Sequence, residues 1–230
     1  MTKLSPRLEA VAALVPRGAK VADVGTDHGY LAICLLERGI AANVVATDIR
    51  PGPLAGAKQN IAQAGLSDRI SLKLCDGLDA VEPEQADVIV IAGMGGETIA
   101  GILSRAPWTL QAGKRLILSP QSKQELLREW LHRQGCGILS EHLARDAGRL
   151  YPILCAGGPA GAKPSAGELF MGCWPKETRD ELFYDALRQN IRKLERERSG
   201  LYGARGEADA ARLQKTEALL KELRGWEEST

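Results

Sequence analysis

The chain has no run of about 18 apolar residues, which excludes a membrane-crossing helix. Its first residues, Met1-Thr2-Lys3-Leu4-Ser5-Pro6-Arg7, lack the apolar core of a secretory leader. No C-x-x-C pair occurs among its 5 cysteines (34, 75, 136, 155 and 173), and three of them fall in expected core strands or helices. That pattern argues against a disulfide framework and points to reduced thiols in a cytoplasmic protein. The 3 histidines, His28, His132 and His142, do not stand at ligand spacing from the cysteines, so no metal site is expected. Net charge is nearly lacking too, at +1, and a chain so balanced gives no overall argument for a polyanionic partner.

What is present is an ordinary globular composition, 44% hydrophobic and 26% charged over 230 residues. That is enough chain to bury a core, in one domain with an appendage. The charge is uneven. Residues 1–100 hold 9 basic and 12 acidic residues, residues 101–150 hold 8 and 4, and residues 188–205 hold 6 and 2. Two local basic excesses reopen the question of nucleic acid, against the plainer reading of solvated helix faces.

The most informative stretch is Val21-Ala22-Asp23-Val24-Gly25-Thr26-Asp27-His28-Gly29-Tyr30. Apolar residues run into two glycines, and Leu31, Leu35 and Leu36 then follow at helical spacing, so a buried strand turns tightly into a helix. A loop that cradles a pyrophosphate relies on bare amides at a positive helix end. Asp23 and Asp27 would repel such a ligand but suit an ammonium or a sulfonium. The dinucleotide spacing also fails, since no glycine stands two residues after Gly25. The loop therefore reads as a site for S-adenosylmethionine rather than a nicotinamide cofactor.

Along the chain, Ser5-Pro6 opens a helix whose apolar face is Leu8, Val11, Ala12 and Val15. Strands are expected at 20–25, 44–48, 70–75, 87–92 and 115–120, with helices between them to about 39 and over 53–64, 97–105 and 122–134. Two further strands near 137–146 and 149–156 are joined by so short a turn that they must pair antiparallel. Asp48 ends the second strand 23 residues after Gly25, where an acid can accept from ribose hydroxyls. Asp76-Gly77 follows the third strand, where a carboxylate can take an adenine amino group. Gly93-Met94-Gly95-Gly96 follows the fourth, and three glycines in four positions imply close backbone approach. The fold class is thus α/β, five parallel strands and a C-terminal antiparallel hairpin, with every candidate ligand group at the carboxyl edge of the sheet.

The domain is expected over 1–158 and a linker over 159–175, rich in Gly and Pro at its start. Over 176–230, Tyr184, Leu187, Ile191, Leu194 and Leu201, with Arg198 in the same seam, predict one long helix. After a break at 200–206, Leu213, Leu220 and Leu223 predict a second, giving a hairpin like a short coiled coil. Arg188, Arg192, Lys193, Arg196 and Arg198 crowd its first helix. Holding a large anionic substrate, dimerisation, and packing on the main domain all remain open.

Leu4-Ser5-Pro6-Arg7-Leu8, the Asp23–Tyr30 loop, Thr47-Asp48, Asp76-Gly77, the Gly93–Gly96 tetrad, the Leu126–Leu131 segment and Arg149-Leu150-Tyr151-Pro152-Ile153 together resemble the bacterial tRNA (adenine(22)-N(1))-methyltransferases. The resemblance covers about residues 1–156, and Ser119-Pro120-Gln121 departs from its Gln-Pro-Asn-like segment. It implies a Rossmann-like class I methyltransferase that acts on tRNA; a monomer is expected, with a dimer left open. It further implies S-adenosylmethionine contacts from Arg7, Asp23, Gly25, Thr26, Asp27, His28, Gly29, Tyr30, Asp48, Ile49, Asn60, Asp76, Gly77, Gly93 and Met94. Met94, Gly95, Glu97 and Gln121 become candidates for holding the target adenine, and Tyr30 for stacking on a base. The tetrad stands where enzymes that methylate exocyclic amines carry an Asn/Asp-Pro-Pro-aromatic segment, so ring-nitrogen methylation is expected. A methyltransferase acting on a small molecule or protein, and a binding protein without turnover, are the alternatives.

Overall fold

The computed structural model describes residues 2–202 and 207–228, which divide into two compact units at Lys163–Pro164. Unit 1 is built on a 7-stranded sheet of order β3-β2-β1-β4-β5-β7-β6. Its strands are β1 (Ala19–Val24), β2 (Ala41–Asp48), β3 (Ile70–Leu74), β4 (Val88–Ala92), β5 (Arg115–Ser119), β6 (Cys136–Asp146) and β7 (Arg149–Pro159). The first five are parallel, and β7 pairs antiparallel with both β5 and β6. Ala147 and Gly148, both at positive φ, form the tight turn that lets Asp146 pair with Arg149.

Helices cover both faces: α1 (Pro6–Ala13), α2 (Tyr30–Glu37), α3 (Pro51–Gln63), α4 (Gly96–Arg105) and α5 (Gln124–Arg133). Parallel strands buried on both faces divide their side chains between two cores at a period of two. Val21, Val88, Val90 and Ile117 pack with Leu31, Leu35 and Ile61 of α2 and α3. Their neighbours Ala22, Ile89, Ile91, Leu116 and Leu118 pack on the other side with Ile99, Leu103, Leu127 and Leu131 of α4 and α5. Truncating one such fully buried leucine to alanine costs about 2–5 kcal/mol. Ser5 caps α1 through its Oγ, with Pro6 at the first helical position, as its sequence predicts.

The stretch 159–175, expected to be a linker, contains the last residue of β7 and one short helix. β7 continues through Pro159, and α6 (Ala166–Met171) begins at a capping box in which Ser165 and Glu168 satisfy each other's backbone amides.

In unit 2, α7 (Glu181–Leu201) and α8 (Glu207–Glu228) bury Phe183, Leu187, Ile191, Leu194, Leu219, Leu220 and Leu223. Leu187 and Leu194, the seam offered for dimerisation, are thus consumed inside the unit. The Arg179 guanidinium lies 5.2 Å from the Phe183 ring centre and 5.1 Å from that of Trp226, while its Nε donates to the Trp174 carbonyl. Gly200, expected in the break, is helical; residues 203–206 of that break lie outside the described residues.

Candidate active site

The strand order reverses direction between β1 and β4, and open α/β sheets bind ligands at that switch point, beyond the carboxyl ends of the strands. A cavity of about 450 Å³ lies there. Gly25 and Asp27 from the loop after β1, Asp48 and Ile49 from β2, Asp76 and Gly77 from the turn after β3, and Gly93 and Met94 after β4 all line it. Strands of different sequence end at one level because each apolar run stops at its acid or glycine.

The backbone locks this edge. Thr47 carbonyl accepts from the amides of Gly25 (2.8 Å) and Thr26 (2.9 Å), and its buried hydroxyl donates to the Gly77 carbonyl at 2.8 Å. Asp48 Oδ1 accepts from the Arg50 amide at 2.8 Å. Gly25 has φ 74, and a β-carbon there would come within 2.5 Å of Met94 Cε. Below the loop, Asp23 is buried and accepts from Thr26 Oγ1 at 2.7 Å. Burial pushes its carboxyl up to about 6; Asp48 adds to the rise and the Thr26 hydroxyl opposes it.

The remaining cofactor candidates stand around the cavity rather than in its lining. Asn60 donates from its side-chain amide to the His28 carbonyl at 2.9 Å, tying α3 to the loop. His28 stands 5.7 Å from Tyr30, centre to centre, and Tyr30 is half exposed at 48%. Gly29 ends the loop as the left-handed N-cap of α2. Arg7 reaches over from α1: its guanidinium lies 5.3 Å from the Tyr151 ring centre, and its buried Nη1 has no partner among the described residues. Arg7 Nη1, Arg7 Nη2 and Gln121 Nε2 stand 3.8, 3.8 and 3.7 Å from where a β-carbon on Gly93 would be. The Arg7 guanidinium and the Gln121 side-chain amide therefore both lie beside Gly93 of the β4 loop.

The substrate-side candidates cluster next to it. Met94 carbonyl accepts from the Gln121 amide at 2.9 Å and Gly96 amide donates to the Ser122 carbonyl at 2.7 Å, so the loops after β4 and β5 are joined. Glu97 is exposed in the first turn of α4, and Gly95 is its N-cap. Thr47, Arg50, Thr98 and Ile102 also line the cavity and were not anticipated from sequence. Thr98 and Ile102 share one face of α4, four residues apart, which is the signal that locates them once α4 is known to start at the tetrad.

In unit 2, Arg188 pairs with Asp185 at 2.7 Å, and the Arg198 Nε is buried without a partner among the described residues. Arg192, Lys193 and Arg196 are exposed and have no carboxylate partner among the described residues. No group of three His, Cys, Asp or Glu that could hold a metal occurs among the described residues. None of the described helices is long and apolar enough to cross a membrane.

Residues 4–154 match the family model of a methyltransferase domain. Over 154 residues the chain is 38% identical to the tRNA (adenine(22)-N(1))-methyltransferase of Bacillus subtilis, a match covering 67% of this chain and 65% of that protein. The chain belongs to this methyltransferase family.

Among solved methyltransferases, the B. subtilis m1A22 tRNA methyltransferase superposes with TM-score 0.89 at 29% identity, over 98% of this chain and 99% of that one. A candidate tRNA (m1A22) methyltransferase of Streptococcus pneumoniae, solved in complex with S-adenosyl-L-methionine, gives TM-score 0.81 at 35% identity over 95% and 100%. The latter two likenesses extend over both units, whereas the matches to the first curated relatives span only 50–65% of those proteins' lengths.

Proposed function

We propose that the chain transfers the methyl group of S-adenosylmethionine to N1 of adenine 22 in the D-loop of bacterial tRNA. The observation that carries this reading is the carboxyl-edge cavity, with acids at both its ribose and purine ends and a donor cluster at the other. The residues fit the cofactor. Asp48, held by the Arg50 amide through one oxygen, keeps the other for ribose hydroxyls. Asp76 serves the purine amine beside Ile49 and Ile102. Asp27 and buried Asp23 supply negative potential for the ammonium and sulfonium, and Arg7 with Gln121 offers donors to a carboxylate. The bound cofactor supplies an electrophilic methyl on a positively charged sulfur.

N1 of adenine already carries an in-plane lone pair, so no proton has to leave before the N–C bond forms. As the S–C bond breaks, the positive charge passes from sulfur to the methylated purine. The protein's task is alignment, and holding the two partners in line accounts for a large share of such a barrier. An adenine must leave its stack to reach the cavity, at a cost of a few kcal/mol. Half-exposed Tyr30, beside His28, is the aromatic side chain that would stack on a displaced base. Met94 carbonyl already accepts from Gln121, which leaves the Gln121 side chain and Glu97 as the freer polar groups for the Watson–Crick edge. Exposed Arg192, Lys193 and Arg196 supply phosphate contacts from unit 2. With Leu187 and Leu194 buried, the seam they would offer a second copy is closed, which favours a monomer, and its tRNA substrate places the enzyme in the cytoplasm.

Incubation with labelled S-adenosylmethionine and unmodified bacterial tRNA tests this, with the product mapped by reverse-transcription arrest. N1-methylation blocks Watson–Crick pairing, so a stop at position 22 is expected. Cofactor binding without any such stop would refute the assigned substrate.

A further inference from the structure

Arg105, the last residue of α4, is tied to two acids of the turn after β3. Its Nη2 forms an ion pair with Asp76 Oδ2 at 2.9 Å, and its Nε donates to Asp79 Oδ1 at 3.1 Å. The turn is itself closed by the Asp79 amide donating to the Asp76 carbonyl at 3.2 Å. Gly77, between the two acids, lies so near α4 that a β-carbon there would meet Ile102 Cγ2 at 2.7 Å. Thus one helix carries both Ile102, which lines the purine end of the cavity, and the cation that grips the cavity's terminal acid.

These ion pairs do little for folding. The side chains of Arg105, Asp76 and Asp79 are 44%, 53% and 48% exposed, and pairs so open to water contribute little to stability. What the arrangement does is orient. An ionised carboxylate has about four lone-pair sites on its two oxygens. With Oδ2 occupied by a guanidinium anchored through a second acid, Asp76 is held in one rotation, and Oδ1 is left for the cavity. A carboxylate accepts from a 6-amino group, while a 6-oxo group offers it another acceptor, so a fixed carboxylate discriminates where a freely turning one adapts.

We propose that Arg105 is a positioning residue that sets the purine selectivity of the cofactor site by fixing Asp76 toward an exocyclic amine. The proposal rests on the reading of Asp76 as the adenine acceptor.

The test is calorimetric binding of S-adenosylhomocysteine and of its 6-oxo counterpart, S-inosylhomocysteine, to the full chain. Wild type is expected to prefer the amino ligand by about 10- to 100-fold, the range for one hydrogen bond to a charged group. Arg105→Ala should cut that preference by up to about fivefold, the limit for so exposed a pair, with little change in Tm and mainly by weakening the amino ligand. Arg105→Lys should restore part of it, since a point charge cannot hold both acids as the planar fork does. Asp79→Ala, which removes the acceptor for Arg105 Nε and leaves the Asp76 side chain in place, should lower it in the same direction. If Arg105→Ala keeps the wild-type preference, or loses both ligands equally, while Asp76→Asn abolishes discrimination, Arg105 does not position Asp76. If Asp76→Asn itself discriminates like wild type, the adenine assignment of Asp76 fails, and the proposal with it.

Discussion

The Lys123 carbonyl oxygen occupies the space that a β-carbon on Gly96 would need, and Leu127 Cβ stands 3.2 Å from the same point. The last glycine of the tetrad is therefore required by chain packing, where α4 begins against the loop after β5. Because the obstacle is backbone, no side-chain rotation relieves it. Gly96→Ala is expected to break the Gly96–Ser122 hydrogen bond and cost about 3 kcal/mol or more, in the range of severe overpacking. Thermal unfolding checks this: a Tm within a degree or two of wild type would mean that the two loops separate freely.

Asp48 is 4% exposed, and its Oδ1 is already engaged by the Arg50 amide. Asp48→Ala removes the ribose acceptor and leaves that amide without its partner. Cofactor affinity is expected to fall by about 100-fold or more, two hydrogen bonds to a charged group being lost. Calorimetry with S-adenosylhomocysteine measures it, and an unchanged Kd would reject the ribose assignment.

The acids and glycines that line the cavity were legible because each interrupts an apolar strand, a local event. What escaped the sequence depends on packing at a distance. Thr98, Ile102 and Arg105 reach the site only because α4 lies against the turn after β3. The basic excess over 101–150 also misled as a count. Arg128 is buried with Glu141 at 2.7 Å, Arg105 holds Asp76 and Asp79, and Lys114 donates to the carbonyls of Pro83 and Ala86. Those three of the eight cations are engaged within unit 1. The α6 helix was missed because six residues are too few to show a period, although Ser165 and Glu168 stand at capping-box spacing.

Asp23 gives the fold a pH dependence. Its carboxyl is raised to about 6 by burial, above the unfolded value near 3.9. Below about pH 4 it is protonated in both states and imposes no penalty; as pH rises through about 6 the folded protein must ionise a buried acid, and stability is lost. Asp23→Asn keeps an acceptor for Thr26 without that charge. The variant should gain up to about 3 kcal/mol on wild type between about pH 4.5 and 7.5 in the absence of ligand. Urea unfolding at both pH values measures the difference, and a constant offset would show that Asp23 titrates as it does in the unfolded chain.

Arg192 and Arg196 stand four residues apart on α7, so their side chains rise from adjacent turns of one face. Arg196 Nε donates to the Arg192 carbonyl at 3.3 Å, and with Glu195 and Ser199 the two frame a shallow cavity. Glu195 and Glu197, which flank Arg196, are taken by Arg224 at 2.5 Å and by Arg212 at 2.6 Å, which leaves both guanidinium groups for phosphates. Reversing both charges in Arg192→Glu with Arg196→Glu should weaken tRNA binding by about tenfold or more, at all sequences alike. It should also lower the slope of log K against log salt by about 1.5 to 2, since each phosphate contact adds slightly less than one. Cofactor affinity should stay at the wild-type value, because neither residue lines the carboxyl-edge cavity. Filter binding across a salt series measures the slope. Equal tRNA affinity in variant and wild type would remove α7 from the RNA path and leave tRNA to the basic residues of unit 1.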